Sequence, residues 1–466
     1  MARFSRRDFL KTVSTAGAAS LALAGTPARG AAAPAAPAVP PRAGRSVMGL
    51  RAPQLDLVRC AVIGLGARGG GTLRELLALE GCEVRAVCDP HAPSLKRALD
   101  NVAKAKKPAP AAFGNGPEDY KRLLARDDLD AVFICTPWRD HTPMALATMR
   151  AGKHAFIEVP AAITVAECWQ LVDTAEATQR HCMMLENVNY GREELMVLRM
   201  CRAGVFGELL HGEASYLHDL RFQSKQLVHG TGSWRIPEHE KRDGNLYTTH
   251  GLGPVAQYMN INRGDRFARI VSLSSPSLGL PDYAEKNFPA GHPRRTANYV
   301  CGDINTSIIK TARGRTILLQ HNTTSPRPYS RHNLIQGTRG LYSGFPDRVY
   351  IEGRSPKDHT WEDSAEALAK YRAEFEHPLW TKVADVAKNL GETARGHGGM
   401  DFVMRYRIIQ CLREGLPLDQ NVYDAAAWSV VGPLSEQSVA QGGMPAEIPD
   451  FTRGAWETAQ PLGIVS

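Results

Sequence analysis

The sequence predicts an α/β protein in two parts: a doubly wound parallel sheet, followed by an α+β domain with a mostly antiparallel sheet. Between Leu57 and Asn187, apolar strand-like runs alternate with helical patterns, which is typical of parallel sheets covered by helices on both faces. After Asn187 the strand-like runs alternate, and long polar loops rich in His, Arg, Tyr and Trp interrupt them. We therefore predict a first domain over residues 57–187 and a second domain over residues 188–466.

The first predicted strand-to-helix turn reads VIGLGARGG, with glycines at Gly64, Gly66 and Gly69 before a helical pattern over Thr72–Leu79. Such glycines let a strand turn tightly into a helix and bring backbone N–H groups onto a pyrophosphate. A glycine-rich turn alone is a weak signal. Here the second strand-like run ends on Asp89, about twenty residues later, where a carboxylate binds ribose hydroxyls. Together these features predict a Rossmann domain that binds a dinucleotide.

The carboxylate of Asp89 predicts NAD rather than NADP, because it repels the 2′-phosphate of NADP. Arg85 lies on the same strand-like run, and a nearby arginine can accommodate that phosphate, so the sequence leaves this alternative open.

Later strand-like runs of the first domain also end on polar side chains. Their ends carry WRDH at residues 138–141, Glu158 and Asn187. In open α/β sheets ligands bind beyond the carboxyl ends of the strands, so we expect one ligand site along this edge. Thr164 and Glu167 have the spacing of a capping box and predict the start of a helix between two of these strands.

In the second domain we predict one helix, four strands and a helical tail. These are, in chain order, Glu193–Arg202, Leu209–Tyr216, Tyr299–Thr311, Thr316–Thr323, Asn333–Tyr342, and the tail from Met400 through Leu434.

The N-terminus has the pattern of an export leader. Arg6 and Arg7 stand in SRRDFLK, which resembles the address of the twin-arginine translocation machinery, a system that exports folded proteins. Val13–Leu23 is weakly apolar and too short to span a bilayer, and no other stretch approaches a membrane span. We predict a signal peptide over residues 1–30, a disordered Ala/Pro-rich linker over residues 31–56, and a periplasmic or secreted protein.

The basic charge of the chain belongs to this leader and linker. The net charge is +8, but the first 51 residues contain eight Lys or Arg and one Asp, which leaves only about +1 for the remainder. A nucleic-acid partner is therefore not expected.

The nine cysteines do not suggest a metal site or a disulfide framework. Cys60, Cys88, Cys135 and Cys182 lie in apolar strand-like runs, and no CxxC or HExxH occurs. We expect buried single thiols, because a protein folded in the cytoplasm before export acquires its structure in a reducing compartment.

The chain resembles the Gfo/Idh/MocA oxidoreductases and, within them, the NAD-dependent glycosidases of glycoside hydrolase family 109. The resemblance runs from about residue 57 to the end, and its motifs are GLGARGG (64–70), Asp89, WRDH (138–141), EVPAA (158–162), MLENVNYGREE (184–194), GSWRIPEHEKRDGNLYTTHGLGP (232–254), NTTSPRPYSR (322–331) and GHGGMDF (396–402). It implies a terminal α-linked N-acetylgalactosamine as the substrate.

The resemblance also implies the site residues. The expected NAD-binding residues, with the glycines of the turn, are Gly64, Gly66, Ala67, Arg68, Gly69, Asp89, Trp138, Arg139, Asp140, His141, Glu158, Val159 and Asn187. The expected substrate-binding residues are Tyr216, Arg235, Tyr247, Thr248, Thr249, His250 and Tyr329. Among these, His250 is the expected proton acceptor at the sugar 3-hydroxyl, because imidazole titrates near working pH, and Tyr247 and Tyr329 are candidates for the C2 base.

Each of these side chains also has a purely structural interpretation. His250 fits a hydrogen-bonded structural histidine, Tyr247 and Tyr329 fit a packed aromatic rim, and Arg235 fits a solvated surface arginine. His397, in a glycine-rich turn, is a further candidate to reach the site.

One residue departs from the wider superfamily. Its dehydrogenases usually carry Lys in a Glu-Lys-Pro motif, and this chain has Val159 at that position. The resemblance therefore favours a glycosidase that oxidises C3, eliminates across C1–C2, hydrates and reduces again with retention. NAD-dependent glycosidases are recognised exceptions to the usual carboxylate pair. An exported enzyme also has no pool in which to exchange spent cofactor, so its chemistry should be redox-neutral.

Two other functions remain open. One is a periplasmic redox-neutral sugar oxidoreductase of the glucose–fructose oxidoreductase type, and the other is a non-catalytic sugar-binding or sensing protein that retains NAD structurally. The sequence also leaves the oligomeric state open, although exposed sheets in this superfamily often pair into homo-oligomers.

The leader generates a direct prediction. Replacing Arg6 and Arg7 together by Lys should leave an active protein in the cytoplasm, because the twin-arginine address is lost. Cell fractionation followed by an activity assay measures this. Arg29→Lys, in the same leader but outside the motif, should be exported normally; export of the double variant at the same level would show that the leader is of another type.

Overall fold

The computed structural model describes residues 39–387 and 396–465, so the predicted signal peptide lies outside the described residues. The first domain contains a six-stranded sheet in the order β3-β2-β1-β4-β5-β6, in which all the pairings are parallel. Its strands are β1 (Val58–Ile63), β2 (Cys82–Cys88), β3 (Ala111–Phe113), β4 (Ala131–Ile134), β5 (His154–Ile157) and β6 (Cys182–Met184). This is the predicted doubly wound sheet, and strands β4 to β6 are fully buried.

Helices connect these strands as the alternating pattern predicts. They are α1 (Ala67–Ala78), α2 (Ala92–Lys104), α3 (Tyr120–Leu124), α4 (Trp138–Arg150) and α5 (Val165–Thr178). The capping box at α5 is confirmed, because the Thr164 hydroxyl accepts from the Glu167 N–H and the Glu167 carboxylate accepts from the Thr164 N–H, both at 3.1 Å.

The second domain contains an eight-stranded sheet in the order β13-β12-β11-β7-β10-β9-β8-β14. Its strands are β7 (Leu209–Leu217), β8 (Phe267–Ser274), β9 (Asn305–Thr311), β10 (Thr316–Asn322), β11 (Leu334–Gly337), β12 (Gly340–Ser343), β13 (Arg348–Ile351) and β14 (Ala446–Glu447). Only β7 and β10 pair in parallel, so the prediction of a mostly antiparallel sheet is confirmed.

Two predicted strands are wrong in their bounds. The strand expected over Tyr299–Thr311 begins only at Asn305, because the preceding backbone is anchored elsewhere: the N–H of Cys301 donates to the His239 carbonyl at 3.0 Å. The strand expected over Asn333–Tyr342 is a hairpin of β11 and β12, whose turn at Thr338 bonds to Glu208 instead of continuing the ladder.

The second domain also contains helices, and helices near the end of the chain pack on the first domain. The helices of the second domain are α6 (Arg192–Arg202), α7 (Thr231–Arg235), α8 (Thr249–Tyr258), α9 (Gly279–Asn287), α10 (Pro293–Thr296), α11 (Ala365–Phe375), α12 (Pro378–Ala387), α13 (Met400–Glu414), α14 (Val422–Ser429) and α15 (Val431–Ala440). Helix α13 packs on α1 and β1, and α14 packs on α5 and β6, so one hydrophobic core extends through both sheets. In the described residues no helix has the length and hydropathy of a membrane span.

The described part of the predicted linker is docked on the fold. Residues 39–56 run over the surface with Val47 and Ala52 buried, and the Arg42 guanidinium pairs with the buried carboxylate of Glu176. The Tyr423 hydroxyl accepts from the N–H of Val47 at 3.1 Å. The expectation of a disordered linker is therefore wrong for this part. The prediction rested on its Ala/Pro composition, whereas single contacts of Arg42 and Val47 with distant residues hold the segment in place.

All nine cysteines are free within the described residues. Of the four predicted to be buried, Cys60, Cys88 and Cys182 are, whereas Cys135 is partly buried because β4 ends there, at a cleft.

The docked segment generates a stability prediction. Tyr423→Phe should lower the free energy of unfolding by about 1–3 kcal/mol, since it leaves the Val47 N–H without its acceptor and removes the hydroxyl that donates to Glu176 at 2.6 Å. Urea unfolding measures the loss, and limited trypsin digestion should cut faster at Arg42. Tyr406→Phe, a partly buried tyrosine beside Lys382, is the control. Equal digestion rates in the two variants would contradict the docking.

Candidate active site

A cleft of about 1320 Å³ runs along the carboxyl edge of the first sheet and is covered on one side by loops of the second domain. It brings most of the predicted site residues onto one surface. Those that line it are Gly64, Gly66, Ala67, Arg68, Asp89, Trp138, Arg139, Asp140, His141, Glu158, Val159, Asn187, Tyr216, Arg235, Tyr247, His250 and His397. Gly69, Thr248, Thr249 and Tyr329 are not among its lining residues.

The glycine turn has the geometry that a dinucleotide requires. Gly64 adopts φ +83°, which favours glycine, and a Cβ on Gly66 would meet nothing within 4 Å. The N-terminus of α1 has no side-chain cap, so its backbone N–H groups are available to a pyrophosphate. Gly69 serves packing, because a Cβ there would lie 1.7 Å from the Gly64 carbonyl oxygen. The turn therefore fits NAD, and Gly69 fits the position that lets helix and strand approach.

Asp89 ties this turn to the end of β2. Its carboxylate accepts from the N–H of Leu65 at 2.6 Å and from the N–H of His91 at 2.8 Å. Arg85 is paired with Glu83 at 2.9 Å and does not line the cleft, so the alternative that Arg85 accommodates a 2′-phosphate loses its geometric basis. The charge at this end of the cleft is that of a carboxylate, which favours NAD.

The adenosine end of the cleft is closed by a contact between the two domains. The ring of His91, just before α2, stacks on the ring of His229 with centroids 3.7 Å apart. His229 lies just before α7, in a loop of the second domain, so this loop crosses the mouth of the cleft.

Arg68 is the centre of an ionic network in the wall of the cleft, in which the carboxylates of Glu158 and Asp401 are buried. Its Nε donates to Glu158 at 2.7 Å, and its two terminal nitrogens donate to Asp401 at 2.7 and 2.9 Å. The amide of Asn187 donates to Asp401 at 2.7 Å, and His397 Nδ1 lies 2.6 Å from the same carboxylate. Burial alone would raise the pKa of Asp401, but His397, Arg68 and neighbouring cations lower it well below its usual range.

Sequence reasoning gave no role to Asp401, although it stands inside the GHGGMDF motif. Asp401 was missed because it lies on α13, far along the chain from the glycine turn. Only the packing of α13 against α1 brings it to the glycine turn.

The WRDH residues form the first turn of α4. Trp138 is buried, with its ring 5.1 Å from Trp234 and 6.0 Å from Tyr247. His141 is also buried, and its ring nitrogens lie 2.7 and 2.8 Å from the carbonyl oxygens of Pro160 and Thr136. Burial, despite these carbonyls, lowers the pKa of His141. It therefore joins two strand-end loops, while Arg139 and Asp140 stay at the rim.

Another part of the cleft is lined by Tyr247, His250 and Tyr216. His250 Nε2 lies 3.2 Å from the Tyr247 hydroxyl, and the two rings contact Tyr216 with centroids 5.4 and 4.5 Å away. Burial raises the pKa of Tyr216 to about 12, and burial together with Tyr216 raises the pKa of Tyr247 well above its usual value. Both phenols therefore remain protonated at neutral pH.

On its other side, His250 contacts a residue that sequence reasoning missed. Its Nδ1 lies 2.7 Å from a carboxylate oxygen of Glu186, a residue with no exposed side-chain surface. Burial opposes ionisation of Glu186, yet the contact with His250 and the hydrogen bond from the Val188 N–H outweigh it and lower the pKa of Glu186. The available signal was its position at a strand end, immediately before Asn187.

The expectation that Thr248 and Thr249 bind substrate is not supported by their placement. Both are buried; the Thr248 hydroxyl donates to the Trp428 carbonyl at 2.7 Å, and Thr249 lies beside Glu186. Helix α8 starts at Thr249, and it is Tyr247 before it and His250 in its first turn that line the cleft.

Arg235 is held in an aromatic cage and is not a solvated surface residue. Its guanidinium carbon lies 5.2 Å from Trp138, 5.3 Å from Trp234 and 5.1 Å from Tyr247, measured to the ring centroids. Tyr329 lies further out: it is 38% exposed, its ring is 6.2 Å from Tyr216, and its hydroxyl accepts from Arg331 at 3.0 Å. Tyr329 therefore belongs to the rim.

Fold and cleft together define a protein with an NAD-binding Rossmann domain. Residues 58–186 match the family model described as oxidoreductase family, NAD-binding Rossmann fold. Solved structures share this fold: levoglucosan dehydrogenase in complex with NADH and levoglucosan has a TM-score of 0.64 at 15% identity, covering 84% of this chain and 99% of that chain. Myo-inositol 2-dehydrogenase from Lactobacillus plantarum has a TM-score of 0.57 at 16% identity, covering 84% and 100%.

The match to the second domain identifies a narrower family. Residues 190–458 match the model described as glycosyl hydrolase 109, C-terminal domain. A glycosyl hydrolase family 109 protein of Shewanella baltica is 55% identical over 467 residues, and an alpha-N-acetylgalactosaminidase of Shewanella oneidensis is 54% identical over 467 residues; both alignments cover 100% of each chain. The chain belongs to glycosyl hydrolase family 109. The resemblance seen in the sequence and the expected NAD cofactor are confirmed.

The two glycines of the turn generate a paired prediction. Gly66→Ala should keep the wild-type unfolding midpoint and lower the NAD content of the purified protein at least about tenfold, because the new methyl group enters open space in front of α1. Gly69→Ala should lose at least about 1–3 kcal/mol of stability, since its Cβ meets a backbone carbonyl. Thermal unfolding and release of NAD by denaturation separate the two effects. Wild-type NAD content in the Gly66 variant would contradict this placement of the pyrophosphate.

Proposed function

We propose that the protein hydrolyses terminal α-linked N-acetylgalactosaminides by a redox-neutral route that uses tightly held NAD. The observation that carries this proposal is the placement of His250 and Tyr247 at the end of the cofactor cleft, in a chain that has Val159 where related dehydrogenases carry Lys. The alpha-N-acetylgalactosaminidase of Shewanella oneidensis, 54% identical, supports the choice of sugar and anomer.

When bound, NAD supplies reversible hydride acceptance at C3 of the sugar, which makes the proton at C2 acidic while C3 is a ketone. The protein's own groups handle protons and orientation. In the proposed reaction His250, through Nε2, takes the proton of the 3-hydroxyl and later returns it. The C2 proton goes to a base, for which Tyr329 is the remaining candidate because the Tyr247 phenol stays protonated at neutral pH. The C1 leaving group then departs, and water adds to the double bond with retention of configuration.

The remaining polar groups orient the sugar. Arg235 presents a guanidinium whose charge is held by aromatic faces, which suits the acetamido or hydroxyl oxygens of an amino sugar. Tyr216 lies between Tyr247 and the outer ring of Tyr329, so it is placed to contact the ring of the sugar. The shape of this aromatic wall, rather than any single charge, would then select the anomer.

We further propose that the protein acts outside the cytoplasm after export by the twin-arginine route. SRRDFLK supports this proposal, and the chemistry is consistent with it, because a returned hydride removes the need for a cofactor pool. A stack of His91 on His229 over the adenosine end supports firm retention of the cofactor.

The reaction predicts isotope exchange at C2. Hydrolysis of an aryl α-N-acetylgalactosaminide in D₂O should give a product that carries deuterium at C2 and keeps its anomeric configuration, because C2–H breaks in every turnover. Mass spectrometry and NMR at low conversion measure this, with free N-acetylgalactosamine incubated in parallel to correct for exchange into product. A conventional carboxylate pair rearranges only the C1–O bond.

His250→Ala should abolish both hydrolysis and exchange with NAD content unchanged. Hydrolysis without deuterium would overturn the redox route. A requirement for a second sugar, with release of an oxidised product, would instead indicate a sugar–sugar oxidoreductase.

A further inference from the structure

We propose that Glu186 is a positioning residue for His250: its buried carboxylate holds the imidazole with Nδ1–H directed inward and Nε2 directed to Tyr247 and the cleft. This inference rests on the proposed function, since it assigns the orientation and charge balance of the group that moves the 3-hydroxyl proton.

The contact is short and shielded. Nδ1 of His250 and Oε1 of Glu186 are 2.7 Å apart, and the Glu186 side chain has no exposed surface, whereas that of His250 is 14% exposed toward the cleft. The same oxygen accepts the N–H of Val188 at 3.1 Å, and the Glu186 carbonyl accepts from Gln420 at 3.0 Å. Backbone and side chain of Glu186 are therefore both fixed before any ligand binds.

Helix α8 contains a glycine that makes this contact possible. A Cβ on Gly253, one turn after His250, would lie 3.0 Å from Cγ of Glu186 and 2.8 Å from the Asn189 side-chain oxygen. Glycine in a helix interior is less favourable than alanine, because it loses more backbone freedom on folding. The helix bears this cost at the position where Glu186 approaches it, which indicates a specific fit between helix and carboxylate.

Among the groups around His250, Glu186 is the one that can balance a positive charge on the imidazole. The groups that face the imidazole are Glu186 from the segment after β6, Tyr247 from the segment before α8, and Tyr216 and His218 from β7 and its end. Glu186 is the carboxylate in contact, and His250 lowers its pKa. This carboxylate, 2.7 Å from Nδ1, lies beside the positive charge that the ring gains when His250 accepts a proton.

A buried carboxylate on Nδ1 also selects the tautomer. A neutral imidazole whose Nδ1–H is donated to Glu186 has an unprotonated Nε2, which is the form required to accept a proton from a hydroxyl. Without the carboxylate, the tautomer protonated at Nε2 competes. Its unprotonated nitrogen is Nδ1, which faces away from the cleft. With Val159 at the position of the usual Lys, this pair carries the proton-handling role.

The test is Glu186→Gln, which keeps the shape and removes the charge. We expect kcat to fall by about 10²-fold with KM and NAD content near wild type. The acidic limb of the pH profile of kcat/KM should move to lower pH by about one unit or more, because the carboxylate no longer favours the imidazolium. Glu176→Gln is the control, since Glu176 is equally buried and hydrogen-bonded to Tyr423 outside the cleft; its pH profile should be that of wild type.

A second measurement is independent of hydrolysis. Modification of His250 by diethylpyrocarbonate, followed by peptide mass mapping across pH, should reach half-maximal rate at lower pH in the Gln variant than in wild type. If wild type hydrolyses nothing, the proposed function fails, while this shift still tests Glu186. An unshifted modification profile overturns the inference. If the Gln variant does not fold, Glu186→Asp, which withdraws the carboxylate by one methylene and keeps its charge, should show the same direction of change.

Discussion

The part of the cleft that contains His250 depends on the close approach of helix α8 to the backbone around it. A Cβ on Gly251 would lie 2.2 Å from the Ser215 nitrogen of β7, and Gly253 allows the matching approach on the side of Glu186. Because the helix is held on both sides, His250 in the first turn of α8 lines the cleft. Tyr247, two residues before the helix, lines it as well. A larger side chain at either glycine would move the helix, and with it the imidazole.

The cofactor end depends on charge rather than on close packing. Arg68 is bound by two carboxylates, Glu158 from the first domain and Asp401 from α13 of the second. A buried ion pair contributes little by itself when its desolvation is counted, but breaking one partner leaves an uncompensated charge. The network therefore specifies one arrangement of the two domains beside the glycine turn. The network also includes residues that were expected to contact the cofactor: Arg68 donates to Glu158, and Asn187 donates to Asp401.

The first domain was predictable because its signals are local. The alternation of strands and helices, the glycine spacing around Gly64 and the capping box at Thr164 each arise within about ten residues of sequence, and each is found in the structure. The second domain was harder. Strand β8 was not predicted, and the run from Asn333 proved to be a hairpin, because pairing in an antiparallel sheet is decided by partners far along the chain.

The sequence by itself determined the fold class and the NAD-binding turn, since these follow from periodicity and from a motif that carries its own chemistry. Its resemblance to a family supplied the other expected side chains of the cleft. Tertiary structure alone decided which of them act together. It buried Thr248 and Thr249, placed Tyr329 at the rim, and brought Asp401 to Arg68 across 333 positions. It also set Glu186 behind His250. Such contacts arise when helices pack back onto a sheet, and no local pattern records which side chains then meet.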